Sequence, residues 1–396
     1  MRRLLAVLTA LFALMAFRGC DTGPPYGSDG PHSGWSAYWV GDVDGDRTPD
    51  IVLATAFEPR SPASYGALRV ISGATSRTLR TLFLPDIIHF TESSVGEVGD
   101  IDGDGRGEVW WEDGYYRIVV GPGIEGPSQR VLEKDRGRLV DSIGDVDGDG
   151  SPELLIGGFL LQPDEAQSLS AVSIRTGRAI WTLTRPPSDE STDNPFAWKG
   201  CVVGDVDLDH VADAAIIDEQ EQILIVSGRT GATLADLHQR VYWILGSLAP
   251  VGDVDGDHVP DLAVSEGENE PLRVISCSDG RELLSLWPSV SFFRVFSPGD
   301  VDGDGRLDIA WSGMDRVEVL RTADGRRILA LENVTPASGS ADYDGDGCAD
   351  MLVTRNIRFQ EGERGPDDLW RKGKVEIVSG RDGTVLRVWD ESVLKR

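Results

Sequence analysis

The stretch DVDGDGRLD, Asp300–Asp308, decides the fold because six more copies of it run through the chain. They are DVDGDRTPD from Asp42, DIDGDGRGE from Asp100, DVDGDGSPE from Asp145, DVDLDHVAD from Asp205, DVDGDHVPD from Asp253 and DYDGDGCAD from Asp342. Successive copies start 42 to 60 residues apart. Positions one, three, five and nine are carboxylates every time. They are Asp42, Asp44, Asp46 and Asp50; Asp100, Asp102, Asp104 and Glu108; Asp145, Asp147, Asp149 and Glu153; and Asp205, Asp207, Asp209 and Asp213. The last three copies supply Asp253, Asp255, Asp257 and Asp261; Asp300, Asp302, Asp304 and Asp308; and Asp342, Asp344, Asp346 and Asp350. These 28 residues carry the whole formal charge of −28, since the other 38 acids are balanced by 38 Lys and Arg.

Four carboxylates within nine residues repel one another unless a cation joins them, and a hard divalent cation with oxygen ligands is the natural partner. Residues one, three and five of a tight loop can turn inward, as in the first half of an EF-hand, and the backbone carbonyl at position seven would add a ligand. The acid at position nine closes the shell. Neither the glutamate at position twelve nor the flanking helices of an EF-hand are present. Short apolar runs follow instead, such as IVLATAF from Ile51 and LAVSEG from Leu262, and these read as strands. Oxygen-only ligation suits Ca²⁺ better than Mg²⁺, which demands a stricter octahedron. Up to seven Ca²⁺ are therefore expected, which would halve the net charge.

The copies differ at position six, the sharp turn. Gly105, Gly150, Gly305 and Gly347 suit it, whereas Arg47, His210 and His258 replace glycine in the other three. The Asp205 loop also has Leu208 at position four and is expected to be the weakest site. His210 and His258 are expected to face solvent, not metal.

Between the acidic loops lies a second repeat. It reads LRVISGATSRTLRTL from Leu68, LSAVSIRTGRAIWTL from Leu169, ILIVSGRTGATLADL from Ile223 and LRVISCSDGRELLSL from Leu272. VEVLRTADGRRILAL from Val317 and VEIVSGRDGTVLRVW from Val375 continue it, with RIVVGPG from Arg117 as a degenerate copy. Two alternating runs around a Ser/Gly/Asp/Thr turn make a hairpin. With one strand before each acidic loop and one after it, every repeat has four strands. Seven such repeats predict an all-β chain, a single seven-bladed β-propeller of four antiparallel strands per blade over residues 35–396, with the acidic loop joining strands one and two.

These strings resemble the FG-GAP repeat of integrin α-subunit propellers and of bacterial secreted proteins. The loop pattern D-x-D-x-D-G-x-x-D is the shared element. The lead-in survives as LGSLAPVGD before Asp253 and more loosely as HFTESSVGEVGD before Asp100, while the FG-GAP dipeptides are mostly replaced. The resemblance spans roughly residues 35 to 392 and implies the propeller and its calcium. Ring closure has two readings: blades 1 and 7 pack directly, or residues 21–34 add an edge strand.

At the N-terminus Arg2 and Arg3 precede an apolar run from Leu4 to Phe17 and then Cys20. Residues 1–20 read as a secretory signal, or as a lipoprotein signal that would anchor the chain through Cys20. Residues 21–34 read as a tether. The expected location is therefore secreted or extracytoplasmic, in the periplasm or on the cell surface. Cys201, Cys277 and Cys348 lie in separate repeats and suggest no disulfide framework.

The five histidines form no metal string, and no nucleophile elbow or phosphate loop is present, so no catalytic residue is assigned. Net acidity excludes nucleic acid and anionic membrane as partners. Among 11 Trp, the hairpin residues Trp181, Trp287 and Trp389 are expected in inter-blade cores, and Trp35, Trp39, Trp198 and Trp243 on a ligand surface. A monomeric binding or adhesion module for an extracellular protein or glycan is the leading reading. A polysaccharide lyase or hydrolase, or a scaffold without ligand, are the alternatives.

Overall fold

In the computed structural model the described residues are 35–55, 66–84, 95–112, 118–124, 130–132, 137–158, 166–185, 196–197, 199–241, 246–266, 270–287, 294–313, 316–336, 340–355 and 374–390. The signal and tether expected over residues 1–34 fall outside them. Blade 1 consists of Trp35–Trp39, Ile51–Thr55, Gly66–Ile71 and Thr78–Leu84, paired in chain order and antiparallel. Six more sheets repeat that order. Blade 2 runs from Val95–Gly99 to Arg130–Leu132, blade 3 from Gly137–Gly144 to Ala179–Arg185, and blade 4 from Gly200–Gly204 to Thr233–Arg240. Blade 5 runs from Ser247–Gly252 to Glu282–Leu286, blade 6 from Arg294–Phe296 to Arg327–Glu332, and blade 7 from Val334–Pro336 to Val385–Trp389.

First strands touch across the junctions of blades 1 and 2, 3 and 4, 4 and 5, and 5 and 6, and so line the centre. The chain therefore forms the seven-bladed, four-stranded propeller expected. Every acidic loop joins the same two strands of its blade, which puts all seven on one face. Neighbouring loops meet there: the Ala349 amide donates to the Asp300 carbonyl at 2.6 Å.

The second strands are buried on both faces, which is why they read as continuous apolar runs and not as alternation; Asp213–Ile217 and Asp261–Ser265 are buried throughout. Seven apolar clusters fill the seven blade junctions. That of blades 1 and 2, for example, joins Val52 and Leu68 to Val109 and Trp111. Isolated sheets of this size could not hide both faces, and closing the ring removes that exposure.

Among the described residues blades 7 and 1 close by packing; the edge strand expected from residues 21–34 lies outside them. Trp39, Leu53 and Ile71 of blade 1 meet Leu352, Ile377 and Trp389 of blade 7. The Tyr343 hydroxyl donates to the Gly73 carbonyl at 2.9 Å, and Arg387 donates to the Gly73 and Ala74 carbonyls at 2.8 and 2.6 Å. Blade 7 completes its four strands from its own residues.

Two tryptophan expectations are corrected. Trp39 lies 8% exposed with its ring 6.4 Å from that of Tyr343, so it belongs to the blade 7–blade 1 core and not to a ligand surface. Trp389 is fully buried and Trp181 packs on the blade 3–blade 4 core, but Trp287 is 70% exposed. The cause is strand period. Trp181 and Trp389 stand four and six residues after their turn glycines, Gly177 and Gly383, whereas Trp287 stands seven after Gly280 and points to the other side. The side chains of Trp35, Trp198 and Trp243 lie outside the described residues.

Candidate metal centres

The first carboxylate of each loop is the hub of its turn. Asp300 accepts through Oδ1 from the amides of Gly303 (2.8 Å) and Asp304 (3.1 Å), and through Oδ2 from that of Gly305 (2.7 Å). Asp42, Asp100, Asp145 and Asp342 hold the same three amides. Wrapping three amides around one carboxylate requires positive φ at positions four and six. Gly303 and Gly305 stand at +75° and +87°. Arg47, His210 and His258 adopt +72°, +71° and +71° at position six without glycine's freedom, and Leu208 adopts +62° at position four. Leu208 and His210 thus concentrate strain in the Asp205 loop, where Asp205 holds only the Asp209 and His210 amides. The side chains of His210 and His258 are 96% and 91% exposed, as expected.

The fifth carboxylate caps the amide of position seven in all seven loops, at 2.8–3.0 Å. In blades 3, 4 and 7 its other oxygen faces a hairpin arginine: Arg175 at 3.3 Å from Asp149, Arg229 at 2.7 Å from Asp209 and Arg381 at 3.1 Å from Asp346. The third carboxylate accepts the amide of position five at 3.1–3.2 Å in six loops.

The ninth carboxylate is the buried one. Asp50, Glu153, Asp213, Asp261 and Asp308 have no exposed surface, and Asp350 and Glu108 almost none. One oxygen accepts the amide of position two at 2.6–3.0 Å in every blade. The other divides the blades. In blades 1, 4 and 7 it accepts the amide of the hairpin glycine: Gly73 and Gly228 at 2.8 Å, Gly380 at 3.1 Å. Those hairpins press so close that a Cβ there would overlap the carbonyls of Pro49, Ala212 and Ala349. Ile174, Cys277 and Thr322 replace this glycine in blades 3, 5 and 6. In blades 2, 3, 5 and 6 the second oxygen, Glu108 Oε1, Glu153 Oε1, Asp261 Oδ1 or Asp308 Oδ1, is buried with no hydrogen-bond partner.

Around the Asp42, Asp100, Asp145, Asp205 and Asp253 loops, oxygens of the first, third and ninth carboxylates come within 4.8 Å of one another. The fifth carboxylate stands outside these groupings. Burial, then the neighbouring charges, drive the ninth carboxyl upward: Asp50 and Glu153 to about 7, Asp261 and Asp308 to about 6. For Glu108, Asp213 and Asp350 the direction is the same and burial again leads. A buried carboxylate oxygen without a donor is costly, and a cation among three such groups removes that cost. The donor set is all oxygen, and it fits a hard divalent ion.

The hairpin turns are the functional residues that sequence reasoning missed. They read only as turns, although their Ser-Gly pair recurs in step with the acidic loops. Cys201, Cys277 and Cys348 are free, buried thiols. Among the described residues no helix is long and apolar enough to cross a membrane.

No family model and no curated protein matches the chain. Solved structures do. The structure of BBS1N in complex with ARL6DN matches at 11% identity and TM-score 0.54, over 84% of this chain and 92% of that one. Rhamnogalacturonan lyase YesW matches at 18% identity and TM-score 0.48, over 90% and 72%. The exotype rhamnogalacturonan lyase YesX matches at 17% and 0.49, over 90% and 65%. At that identity what the BBS1N structure shares with this chain is the fold.

Proposed function

We propose that the chain is an extracytoplasmic calcium-binding propeller of FG-GAP type that serves as a binding or adhesion module for a protein or glycan. The observation that carries the calcium reading is the set of five buried carboxylate oxygens without partners in the acidic loops, four of them from ninth carboxylates and the fifth Asp302 Oδ1. Calcium outside the cytoplasm is abundant enough for sites of moderate affinity. The loops then act as rigid pins on one face of a closed disc, and the ligand surface is built on blades that the metal holds in register. Residues 1–20 would direct the chain out of the cytoplasm, with Cys20 as the anchor if it is lipidated.

The test is a glycan array and a pull-down with surface proteins, run with calcium and after chelation. Calcium-dependent capture is expected. Cleavage of a polysaccharide panel in the same buffers would move the reading to an enzyme, and absence of both capture and calcium uptake would overturn it.

A further inference from the structure

The blade 6 loop departs from the common hydrogen-bond pattern. Elsewhere the third carboxylate accepts the amide of position five. In blade 6 the Asp304 amide stays with Asp300 alone, and Asp302 Oδ1 is buried without a partner. Asp302 Oδ2 is instead taken by two N–H groups of Arg321, Nε at 2.7 Å and Nη2. The same Nε lies 3.7 Å from Asp304 Oδ2.

Arg321 occupies the hairpin position that is Ser72, Ser173, Ser227, Ser276 and Ser379 in blades 1, 3, 4, 5 and 7. All five serines are buried, and Ser72 hydrogen-bonds the third carboxylate of its loop, Asp44. The next residue, Thr322, replaces the hairpin glycine and donates through Oγ1 to the Leu307 carbonyl at 2.5 Å. Arg321 and Thr322 together therefore rebuild with side chains the docking that Ser-Gly provides elsewhere. Other hairpin arginines act differently. Arg281 reaches Asp255 at 2.9 Å, yet the Asp257 amide keeps its bond to that carboxylate at 3.2 Å.

Resting on the calcium reading, we infer that Arg321 is a tethered cation that competes with calcium in blade 6. The guanidinium is permanently charged, holds the third carboxylate that a metal would share and stands close to the fifth. Calcium entering the loop must displace it or lie against a like charge. The unpartnered Asp308 Oδ1 keeps part of a metal site, so loading is delayed and not abolished. Blade 6 keeps part of its loop charge offset when calcium is scarce, and it fills after the loops of blades 2 and 3, which share its turn glycines.

The experiment is equilibrium dialysis of the full chain against graded free calcium, with bound metal measured by atomic emission. Arg321→Ser restores the residue of the other hairpins. It should move one equivalent of uptake to at least about tenfold lower free calcium. Superimposable isotherms with normal uptake would overturn the inference and leave the calcium reading standing; no uptake by either protein overturns both. If Arg321→Ser fails to fold, Asp302→Ala and Asp102→Ala decide the matter at limiting calcium. Asp102→Ala should lose one equivalent and Asp302→Ala none, and equal losses would overturn the competition.

Discussion

Asp50→Ala and Asp308→Ala remove the same side chain from the same position in two blades, and in chelator they should not cost the same. Asp50 holds two buried amides, Val43 at 3.0 Å and Gly73 at 2.8 Å. Asp308 holds one, Val301 at 2.9 Å, and its other oxygen has no partner. A buried donor left unsatisfied costs about 1–3 kcal/mol, so Asp50→Ala should lose about 2–6 kcal/mol and Asp308→Ala about 1–3 kcal/mol. Removing the unpartnered Asp308 oxygen also relieves a burial cost, which widens the gap. Urea unfolding in chelator measures both losses through the shift in midpoint at constant slope. Equal losses would show that the hairpin amide is not an anchor of the ninth carboxylate, and the division of the blades would lose its meaning.

Three further outcomes follow. Metal-free protein should lose stability as pH rises from about 5 to 8, because Asp50, Glu153, Asp261 and Asp308 hold their protons to about 6–7 when folded and titrate near 4 when unfolded; stability from a raised carboxyl is complete below the unfolded value and lost through the folded one. Melting of chelator-treated protein across this range checks the direction, and calcium should flatten the fall. Gly228→Ala should destabilise by more than the ~1 kcal/mol of an ordinary glycine change, because the new Cβ meets the Ala212 carbonyl; an unchanged urea midpoint would contradict the close approach. Trp389→Ala should cost about 3–5 kcal/mol at the blade 7–blade 1 junction, while Trp287→Ala should be nearly neutral, and thermal unfolding of the pair checks it.

The propeller was legible because its evidence is local. Carboxylates at fixed spacing, apolar runs after them and a turn-rich hairpin all lie within one repeat and need no knowledge of the ring. Trp287 was misread for a local reason too: its distance from Gly280 is odd, and counting from the turn would have placed it on the outer side. The hairpin's hold on the acidic loop was not legible. Gly73 and Asp50 are 23 residues apart, Gly380 and Asp350 are 30, and a turn glycine looks the same whether it faces solvent or a buried carboxylate. Arg321 was hidden for the same reason, since a serine-to-arginine change in a turn means little until the serine is seen against the third carboxylate.

The hairpin glycine also explains how a metal loop can bear on the ring. Gly73 donates its amide to Asp50 within blade 1, and its carbonyl accepts from Tyr343 and Arg387 of blade 7. Gly228 does the same in blade 4, donating to Asp213 and accepting from the indole of Trp181 in blade 3 at 2.6 Å. One glycine residue thus ties, through its N–H and its C=O, the ninth carboxylate of its own loop to the outer strand or loop of the blade before it. Charge left unbalanced in the loop pushes on that carboxylate, and the push reaches a blade junction through two hydrogen bonds. Calcium in these loops would therefore steady the seams of the disc as well as its turns. The blade 7–blade 1 seam has most to gain, because every other seam is also crossed by the chain passing from one blade to the next.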